Sequence, residues 1–473
     1  MVGNLRHSVF VTFFIPVMAL LLIFQLTSSL YAKTAQAETH RVRVGLITNA
    51  DKLAFKTTGK YQLINKNSGE IIANLKPGER WELTVNNNRM VLTKNGEPAG
   101  EFNDPLVVQG ATATPVSILS AVTTISSNGS NLAALSGDGK VTNLGTDLSK
   151  YQVRSASGVQ PMTAGNSELA LITLEGPGNT KRYRGDMEFK ISNTGQLVAI
   201  NELPVEEYLY GVVPSEMPVS FGLEALKAQA LAARTYALRA ALNNKNMDFD
   251  LAPTDASQVY GGYDAESPMA NRAVQETAGE VITYQGQLID AVFFSSSGGF
   301  TDNSEDVWKN YVPYLRWKED PYDKNDKHYN WVVYNTVDQL TNRVNQGLAQ
   351  LGYQQQFGQV QALEEVARTS SGARVKAMRI NGLGLDGSPL TVEVANADRV
   401  RVVLGLKSSL FTWEQQRDEA GNLTAITITG SGWGHGLGMS QYGARGMAEQ
   451  GYNYRQILQY YYTGVDIVPN YGR

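Results

Sequence analysis

One stretch of the chain, residues 222–242, has a pattern unlike the sequence around it. It is rich in Ala and Leu and contains neither proline nor internal glycine. Apolar side chains recur there at three- and four-residue spacing, as at Leu226, Ala230 and Ala233, and this spacing predicts a buried α-helix. Because its side chains are small, the helix can pack closely against its neighbours.

Most of the remaining sequence is strand-like. Between residues 41 and 108, short apolar runs are separated by turn signals such as Asn67-Ser68-Gly69, which predicts a meander of antiparallel strands. Further strands are predicted at 169–174, 183–200, 281–284, 288–294, 377–380, 390–394 and 424–429, and further helices at 337–351 and at 444–450 or 455–461. We therefore expect an α+β fold dominated by β-structure, with an N-terminal antiparallel β domain followed by a domain of mixed helix and antiparallel sheet.

The N-terminal sequence has the pattern of an export signal. Arg6 precedes an apolar run at 9–24, and Ala35-Gln36-Ala37 fits the small-x-small cleavage pattern of a secretory signal. A signal peptide and an uncleaved N-terminal anchor both fit this pattern, and both predict that the bulk of the protein is exported. The predicted organisation is a signal peptide or anchor at 1–37, a β domain at 38–109, a Ser/Thr/Gly-rich insertion or linker at 110–165 and a mixed domain at 166–473.

Charge and composition argue against several classes of function. The chain has 41 Lys and Arg against 45 Asp and Glu, a net charge of −4. Since no basic block is present, neither a nucleic acid nor an anionic membrane surface is an expected partner, and membrane contact is expected only through an uncleaved N-terminal segment. The absence of cysteine excludes disulfides and cysteine-based zinc sites. Of the four histidines, His7 lies in the predicted targeting segment, so a three-histidine metal site would need all of the other three, which is improbable. No metal or cofactor is expected.

The segment 212–218, VVPSEMP, places one acid between two prolines just ahead of the predicted helix. Because proline stiffens the backbone, we expect Glu216 on a constrained loop. The apolar neighbours Val213 and Met217 would raise the pKa of its carboxyl, as a general acid requires. The nearby helix N-terminus would favour the charged form, so the local sequence alone favours a cap or a solvated acid.

Two other stretches combine polar side chains with special backbone. Residues 293–301, FFSSSGGFT, follow a predicted strand and predict a loop that lies close to a polar ligand, although a tight turn is the alternative. A serine nucleophile there would need a base, and histidines are scarce. On the predicted helix, Glu224, Lys227 and Arg234 share one stripe, which is usually a solvated face; Arg234 would alternatively point into a cleft or pair with an acid.

The segment 430–444, GSGWGHGLGMSQYGA, alternates glycine with other residues. Because each glycine costs backbone entropy, this pattern indicates positive φ angles or a close approach of two backbones. Trp433, His435, Gln441 and Tyr442 are then expected to line a site, where aromatic faces would stack on sugars and Gln and His would reach hydroxyl groups. A lone histidine is more often structural, but the surrounding glycines favour a functional role for His435.

In these stretches the chain resembles the SpoIID/LytB family, named for stage II sporulation protein D and the amidase enhancer LytB. The matches follow one another in order and span about 183–464, with a weaker match back to 41. The matching residues are 201–204 with 207–209, 211–218, 226–236, 258–262, 297–301 with 307–308, and 432–444.

The resemblance implies a lytic transglycosylase that cleaves between N-acetylmuramic acid and N-acetylglucosamine in peptide-free glycan strands of peptidoglycan. Glu216 matches the catalytic glutamate of the family, which acts first as acid and then as base while the 6-hydroxyl of the sugar closes an anhydro ring. The mixed domain would be the catalytic domain, in the periplasm or cell envelope. The candidate glycan contacts are Lys227, Arg234, Ser297, Thr301, Trp433, His435, Ser440, Gln441 and Tyr442.

One departure and two alternatives accompany this resemblance. Some family members bind zinc near the serine–glycine loop through cysteine and histidine, but Phe294 and Ser296 offer no replacement here, so no such metal is expected. A role in sporulation is not implied. The alternatives are a non-catalytic peptidoglycan-binding enhancer of a cell-wall amidase and a serine hydrolase acting through Ser297. The intact segment 212–218 favours the transglycosylase.

Overall fold

The computed structural model describes residues 40–110 and 169–471, together with the backbone of five short strands between 114 and 161. The predicted signal peptide or anchor at 1–37 and most of the predicted insertion at 110–165 lie outside the described residues. No helix in the described part of the chain is long and apolar enough to cross a membrane.

Two six-stranded antiparallel sheets dominate the first part of the fold. The strands are β1 (Arg41–Ala50), β2 (Lys52–Thr58), β3 (Tyr61–Asn65), β4 (Ile71–Leu75), β5 (Trp81–Asn86), β6 (Arg89–Lys94), β7 (Glu97–Phe102), β8 (Leu106–Gly110), β9 (Thr114–Pro115), β10 (Ala133–Leu135), β11 (Val141–Asn143), β12 (Tyr151–Ser155), β13 (Gly158–Pro161), β14 (Leu171–Gly176), β15 (Asn179–Tyr183), β16 (Asp186–Ile191) and β17 (Leu197–Pro204).

Strands β14–β17 return to complete both sheets. One sheet has the order β1-β17-β16-β8-β3-β4 and the other β15-β14-β2-β5-β6-β7. Alternate side chains of both sheets meet in one core, where the rings of Phe55 and Phe189 stack 5.1 Å apart. The predicted antiparallel β domain is confirmed, and its two sheets include residues 171–204, which follow the insertion in sequence.

The second part of the chain mixes helices with smaller sheets, as predicted. Its elements are α1 (Val205–Glu216), α2 (Leu223–Asn243), α3 (Pro268–Glu276), β18 (Val281–Tyr284), β19 (Gln287–Leu288), β20 (Phe293–Phe294), α4 (Ser304–Val307), β21 (Trp331–Thr336), α5 (Val337–Gln350), β22 (Phe357–Arg368), β23 (Val375–Gly384), β24 (Pro389–Ala395), α6 (Ala397–Val403), β25 (Phe411–Arg417), β26 (Leu423–Gly430), β27 (Met439–Ser440), α7 (Gln441–Glu449), α8 (Tyr454–Tyr461) and β28 (Asp466–Val468).

Helix α2 is the predicted Ala-rich helix, and it is buried among α1, α3, α7 and α8. Residues 331–430 form a separate unit, which we call the inserted subdomain, with its own apolar core. It contains the sheets β21-β26-β25 and β22-β23-β24 and the helices α5 and α6. The fold is therefore α+β and dominated by strands.

Two local predictions were wrong. Residues 212–216 are the end of α1 rather than a constrained loop, because Val212 and Val213 are fully buried and hold the helix against the core as far as Glu216, despite Pro214. The single strand predicted at 288–294 is instead two short strands, β19 and β20, which pair with different partners. The two helices predicted as alternatives near the C-terminus are both present, as α7 and α8.

A buried ion pair joins the inserted subdomain to the rest of the protein. Arg374 directly precedes β23, and its Nε is 3.2 Å from the Asp302 carboxylate; both side chains are 0% exposed. The Arg374 Nη2 also donates to the carbonyls of Ser297 and Phe300, at 2.8 and 2.9 Å. The guanidinium thus holds the 297–302 loop in place.

We expect Asp302→Ala to lower the free energy of unfolding by about 3–5 kcal/mol, because it leaves the buried Arg374 charge without its counterion. Urea unfolding followed by tryptophan fluorescence measures the change. Glu393→Ala, which removes an exposed partner of Arg379, is the control and should cost at most about 1 kcal/mol. Equal losses in the two variants would contradict the role given to the buried pair.

Candidate active site

Glu216 is the last residue of α1, and it is half-buried. The backbone N–H of Val259 donates to its Oε1 at 2.6 Å. Burial raises the pKa of the Glu216 carboxyl above its ordinary value; the Val259 hydrogen bond lowers the pKa, and the negative charge of Asp255 raises it. Glu216 lies at the C-terminal end of α1. The N-terminal dipole of α2, which would favour the charged carboxylate, begins only at Leu223. The site therefore favours a protonated carboxyl more than open solvent does.

Gln441 brings the C-terminal segment into contact with this acid. Its side-chain Nε2 donates to the backbone carbonyl of Glu216 at 3.0 Å, across 225 residues of sequence. The same nitrogen lies 3.3 Å from Oε1 of Gln229 on α2. Gln441 itself is the first residue of α7 and is mostly buried. It fixes the backbone that carries the acid.

The glycine-dense segment lies against the serine–glycine loop at very short range. Ser296 and Trp433 exchange two backbone hydrogen bonds, of 3.0 and 2.8 Å. Gly432 has φ +80°, and a Cβ there would lie 2.7 Å from the Ser296 carbonyl oxygen; at Gly438, with φ +72°, it would lie 2.2 Å from that of Val292. The predicted positive φ angles and close backbone approach are both confirmed.

A row of aromatic rings extends from the neighbourhood of Glu216, and we call it the aromatic wall: Phe221, Tyr442, His328 and Trp433. Tyr442 meets the Phe221 ring edge-on at 4.8 Å and the His328 ring at 6.2 Å. The His328 and Trp433 rings are 4.4 Å apart. Trp433 is 45% exposed, a large fraction for an indole. Its exposed face offers a stacking surface.

Two charged groups lie beside the aromatic wall. Lys407 Nζ is 5.6 Å from the centre of the Trp433 ring and 3.3 Å from Nδ1 of His328. Asp326 is buried, and neither carboxylate oxygen has an aligned hydrogen bond in the described part of the chain. Burial raises the pKa of the Tyr442 hydroxyl, and the Asp326 charge raises it further. Burial also lowers the pKa of His328, against the opposing effect of Asp326.

Arg234 and Lys227, two of the predicted contacts on α2, are engaged within the protein. The Arg234 side chain is 1% exposed, and its Nη2 is 2.7 Å from the Glu206 carboxylate. It therefore pairs with an acid, which was one of the alternatives for this residue. Lys227 Nζ lies 2.9 and 2.7 Å from Glu224 and Glu276. Neither side chain joins the surface formed by Glu216 and the aromatic wall.

Ser297 and Thr301 are also internal. Ser297 is 0% exposed, and its Oγ donates to the Asp323 carboxylate at 2.9 Å, as does the N–H of Gly298. Thr301 Oγ1 accepts from Lys318 N–H at 2.9 Å. Since the Ser297 hydroxyl faces a carboxylate and no imidazole, this geometry does not favour a serine nucleophile.

His435 and Ser440 support the glycine-dense segment from within. The Leu437 N–H donates to His435 Nδ1 at 3.0 Å, which leaves the proton on Nε2, 3.1 Å from the Phe293 carbonyl. Burial lowers the pKa of His435 to about 4, so the ring is neutral. Ser440 caps α7 by accepting the Gly443 N–H at 3.1 Å. Trp433, Gln441 and Tyr442 are the predicted contacts that the structure brings to Glu216 or the aromatic wall.

Several residues of this site were missed in the sequence. Asp255 and Val259 lie in the loop before α3, and the resemblance at 258–262 was the available signal for that loop. His328, Asp326 and Lys407 have no local pattern that marks them, because their partners in the wall, Trp433 and Tyr442, lie far from them in sequence. Within 40–110 and 169–471, no group of three His, Asp or Glu side chains is arranged to hold a metal ion.

Comparison with known proteins yields two family matches and several relatives. Residues 193–284 match the family described as Stage II sporulation protein, and 302–438 match one described as a domain of unknown function (DUF8618). Stage II sporulation protein D from Bacillus amyloliquefaciens is 37% identical over 284 residues, which cover 57% of this chain and 75% of that protein. Its namesake from Bacillus subtilis (strain 168) is 34% identical over 288 residues, covering 57% and 76%.

A further relative has a different name. The protein called Amidase enhancer from Bacillus subtilis (strain 168) is 33% identical over 301 residues, which cover 55% of this chain and 40% of that protein. The match to the Stage II sporulation protein family includes Glu216 and its partner loop at Val259. The glycine-dense segment up to Gly438 lies in the second family match.

We expect Glu216→Gln to stabilise the protein at neutral pH. The pKa of Glu216 is higher in the folded protein than in the unfolded chain. The wild type therefore has its full stability only below the unfolded pKa of this group and loses part of that stability as pH rises through the folded pKa. Glutamine stays neutral and keeps an acceptor for Val259 N–H. Melting temperatures from pH 4 to 8 should diverge in favour of the variant as pH rises. Glu101→Gln, at an exposed position, is the control. The expectation is contradicted if the melting temperature of Glu216→Gln, measured relative to wild type, is lower at pH 7 than at pH 4.

Proposed function

This chain belongs to the SpoIID/LytB family, and we propose that it is an exported lytic transglycosylase acting on peptidoglycan glycan strands. Membership supports a role at the cell wall and a location in the cell envelope. The observation that carries the catalytic part of the proposal is the environment of Glu216: a half-buried acid with a raised pKa, held by Val259 and Gln441 beside an exposed aromatic surface.

A single acid can perform both proton transfers. Protonated Glu216 donates its proton to the oxygen between N-acetylmuramic acid and N-acetylglucosamine, and the C1–O bond of the muramic acid residue breaks. The resulting carboxylate then accepts the proton of that sugar's own 6-hydroxyl while O6 bonds to C1. The product carries a 1,6-anhydro ring, no water is consumed, and Glu216 returns to its protonated form. Because the substrate supplies the nucleophile, no second catalytic carboxylate is required.

The aromatic wall supports glycan binding next to this acid. The exposed Trp433 ring can stack on the apolar C–H face of a pyranose, with Lys407 beside it to meet a carboxylate. The phenol of Tyr442 lies between the Phe221 and His328 rings in the wall. We place a peptide-free strand along these residues. Arg234, Ser297 and His435 would then act through the backbone they support.

A second function is favoured by one relative. The protein named Amidase enhancer is 33% identical over 301 residues. A non-catalytic, peptidoglycan-binding enhancer of a cell-wall amidase would use the same aromatic wall. It would have no use for the raised pKa of Glu216.

Glu216→Gln should lower turnover of purified, peptide-free glycan strands by at least about 10²-fold, because the proton donor is lost. Mass spectrometry of the products measures both rate and chemistry, since anhydro ends are lighter by one water than hydrolytic ends. Glu101→Gln is the matched control and should keep wild-type turnover. If wild type and Glu216→Gln both bind the strands, release nothing and accelerate an added amidase equally, the enhancer is the function and the transglycosylase proposal fails.

The rate should also fall as pH rises through the pKa of Glu216, because only the protonated form can begin the reaction. Asp255→Asn removes a negative charge that raises this pKa, so the alkaline limb of kcat/KM should move to lower pH. A pH–rate profile on peptide-free strands tests this. Asp51→Asn, an exposed acid in the turn between β1 and β2, is the control. An unmoved limb in Asp255→Asn would remove Glu216 as the group that titrates.

A further inference from the structure

The inserted subdomain has a groove of about 560 Å³ between β21, α5 and the end of α6, a volume suited to a small ligand. Primary amides dominate its lining, and we call it the amide groove. Its principal residues are Tyr334, Asn335, Gln339, Asn342, Arg343 and Gln346. The remaining lining consists of Gly347, Gln350, Val402 and Gly405.

An unsatisfied donor lies in this groove. Asn335 is 2% exposed, and its side-chain Nδ2 has no hydrogen-bond partner among the described residues. Leaving a buried amide donor unpaired costs on the order of 1–3 kcal/mol. A ligand that brings an acceptor to the groove would remove this penalty. The unpaired amide of Asn335 therefore supports a bound ligand independently of the shape of the groove.

Arg343 supplies the charge of the groove. Its Nη1 donates to the Gly405 carbonyl at 3.2 Å, which orients the guanidinium, and no acidic partner occurs for it in the described part of the chain. Neither Asp nor Glu lines the groove. This lining does not suit a metal ion, which prefers carboxylates, and one cation is too few for a polyphosphate. It suits a ligand with one negative charge.

The chemistry of the lining matches a saccharide. Side-chain amides donate and accept hydrogen bonds at once, as sugar hydroxyls and N-acetyl groups do. The Tyr334 ring, 57% exposed, offers a face to the C–H side of a pyranose. We infer that the amide groove binds an N-acetylated saccharide with a single carboxylate, which Arg343 recognises.

In peptidoglycan, this carboxylate is the lactyl group of N-acetylmuramic acid. It is free only where the stem peptide has been removed, because the peptide is attached to it through an amide. Arg343 would therefore select peptide-free strands, an inference that rests on the proposed function. The strand that carries Tyr334 begins near the aromatic wall: Trp331, at the start of β21, donates its indole N–H to the Gly432 carbonyl next to Trp433. Tyr334 follows roughly 10 Å further along the same strand.

The test uses the full chain with Glu216→Gln, so that the saccharide is not cut, and 15N-labelled Asn and Gln. Binding is followed through the side-chain amide signals of Asn342 and Gln346. Three probes are titrated: a tetrasaccharide of alternating N-acetylglucosamine and N-acetylmuramic acid, the same compound with its lactyl groups converted to methyl amides, and chitotetraose. The free-acid compound should bind tightest. Arg343→Gln should weaken it about tenfold and leave the other two unchanged.

Two controls keep the outcome interpretable. Arg379→Gln removes an exposed arginine of the same subdomain and should leave all three affinities unchanged. Tyr334→Ala should weaken all three probes, because it removes the stacking face without touching the core. Unchanged Asn342 and Gln346 signals with every probe would overturn the inference, and so would equal weakening of all three by Arg343→Gln. If the wild-type protein still cleaves peptide-free strands in that case, the proposed function stands without this inference.

Discussion

The close approach of two backbones holds this molecule together at its functional centre. Residues 430–438 run against 292–298, and a Cβ at Gly432 or Gly438 would enter the carbonyl of Ser296 or Val292. Only then can Gln441, just beyond, reach the backbone of Glu216. Each glycine costs conformational entropy in the unfolded chain, so the arrangement persists because many partners hold it. Among them are the neutral ring of His435 and the buried Asp323 below Ser297.

In the sequence, the inserted subdomain lies between the two segments that approach each other here. Its attachment to the rest of the protein is polar and buried. Arg374 reaches out of β23 and binds the carbonyls of Ser297 and Phe300, while Asp302 neutralises its charge. A buried pair of this kind contributes little net stability compared with apolar packing, but breaking it is costly, so it fixes one orientation. That orientation places Lys407, within the subdomain, against Trp433 and against His328, which lies just before the subdomain in sequence.

Periodicity sufficed for elements whose pattern is local. The helix at 222–242 and strands such as Val281–Tyr284 were predicted almost to the residue, because their burial is one-sided or complete along the whole element. The segment before Met217 was misjudged: its prolines suggested a loop, whereas burial of Val212 and Val213 extends the helix. For the site, Glu216, Trp433, Gln441 and Tyr442 were within reach of sequence. Asp255 and Asp326 were not, since their significance comes from the groups that they face in the folded protein, Glu216 and Tyr442, and no local pattern marks either acid.

The charges around Glu216 bear on the proposed substrate, a peptide-free glycan strand. Asp255 already raises the pKa of Glu216, and a peptide-free strand adds one carboxylate for every muramic acid. Bound next to the acid, that strand would raise its pKa further and so favour the proton donor. The repulsion this creates has to be offset elsewhere, and two cations could do so: Lys407 at the end of the aromatic wall and Arg343 in the amide groove. In the proposed reaction, the cations would attract the strand away from the reacting bond, while the negative charges beside Glu216 would keep its carboxyl protonated. A general acid needs both effects.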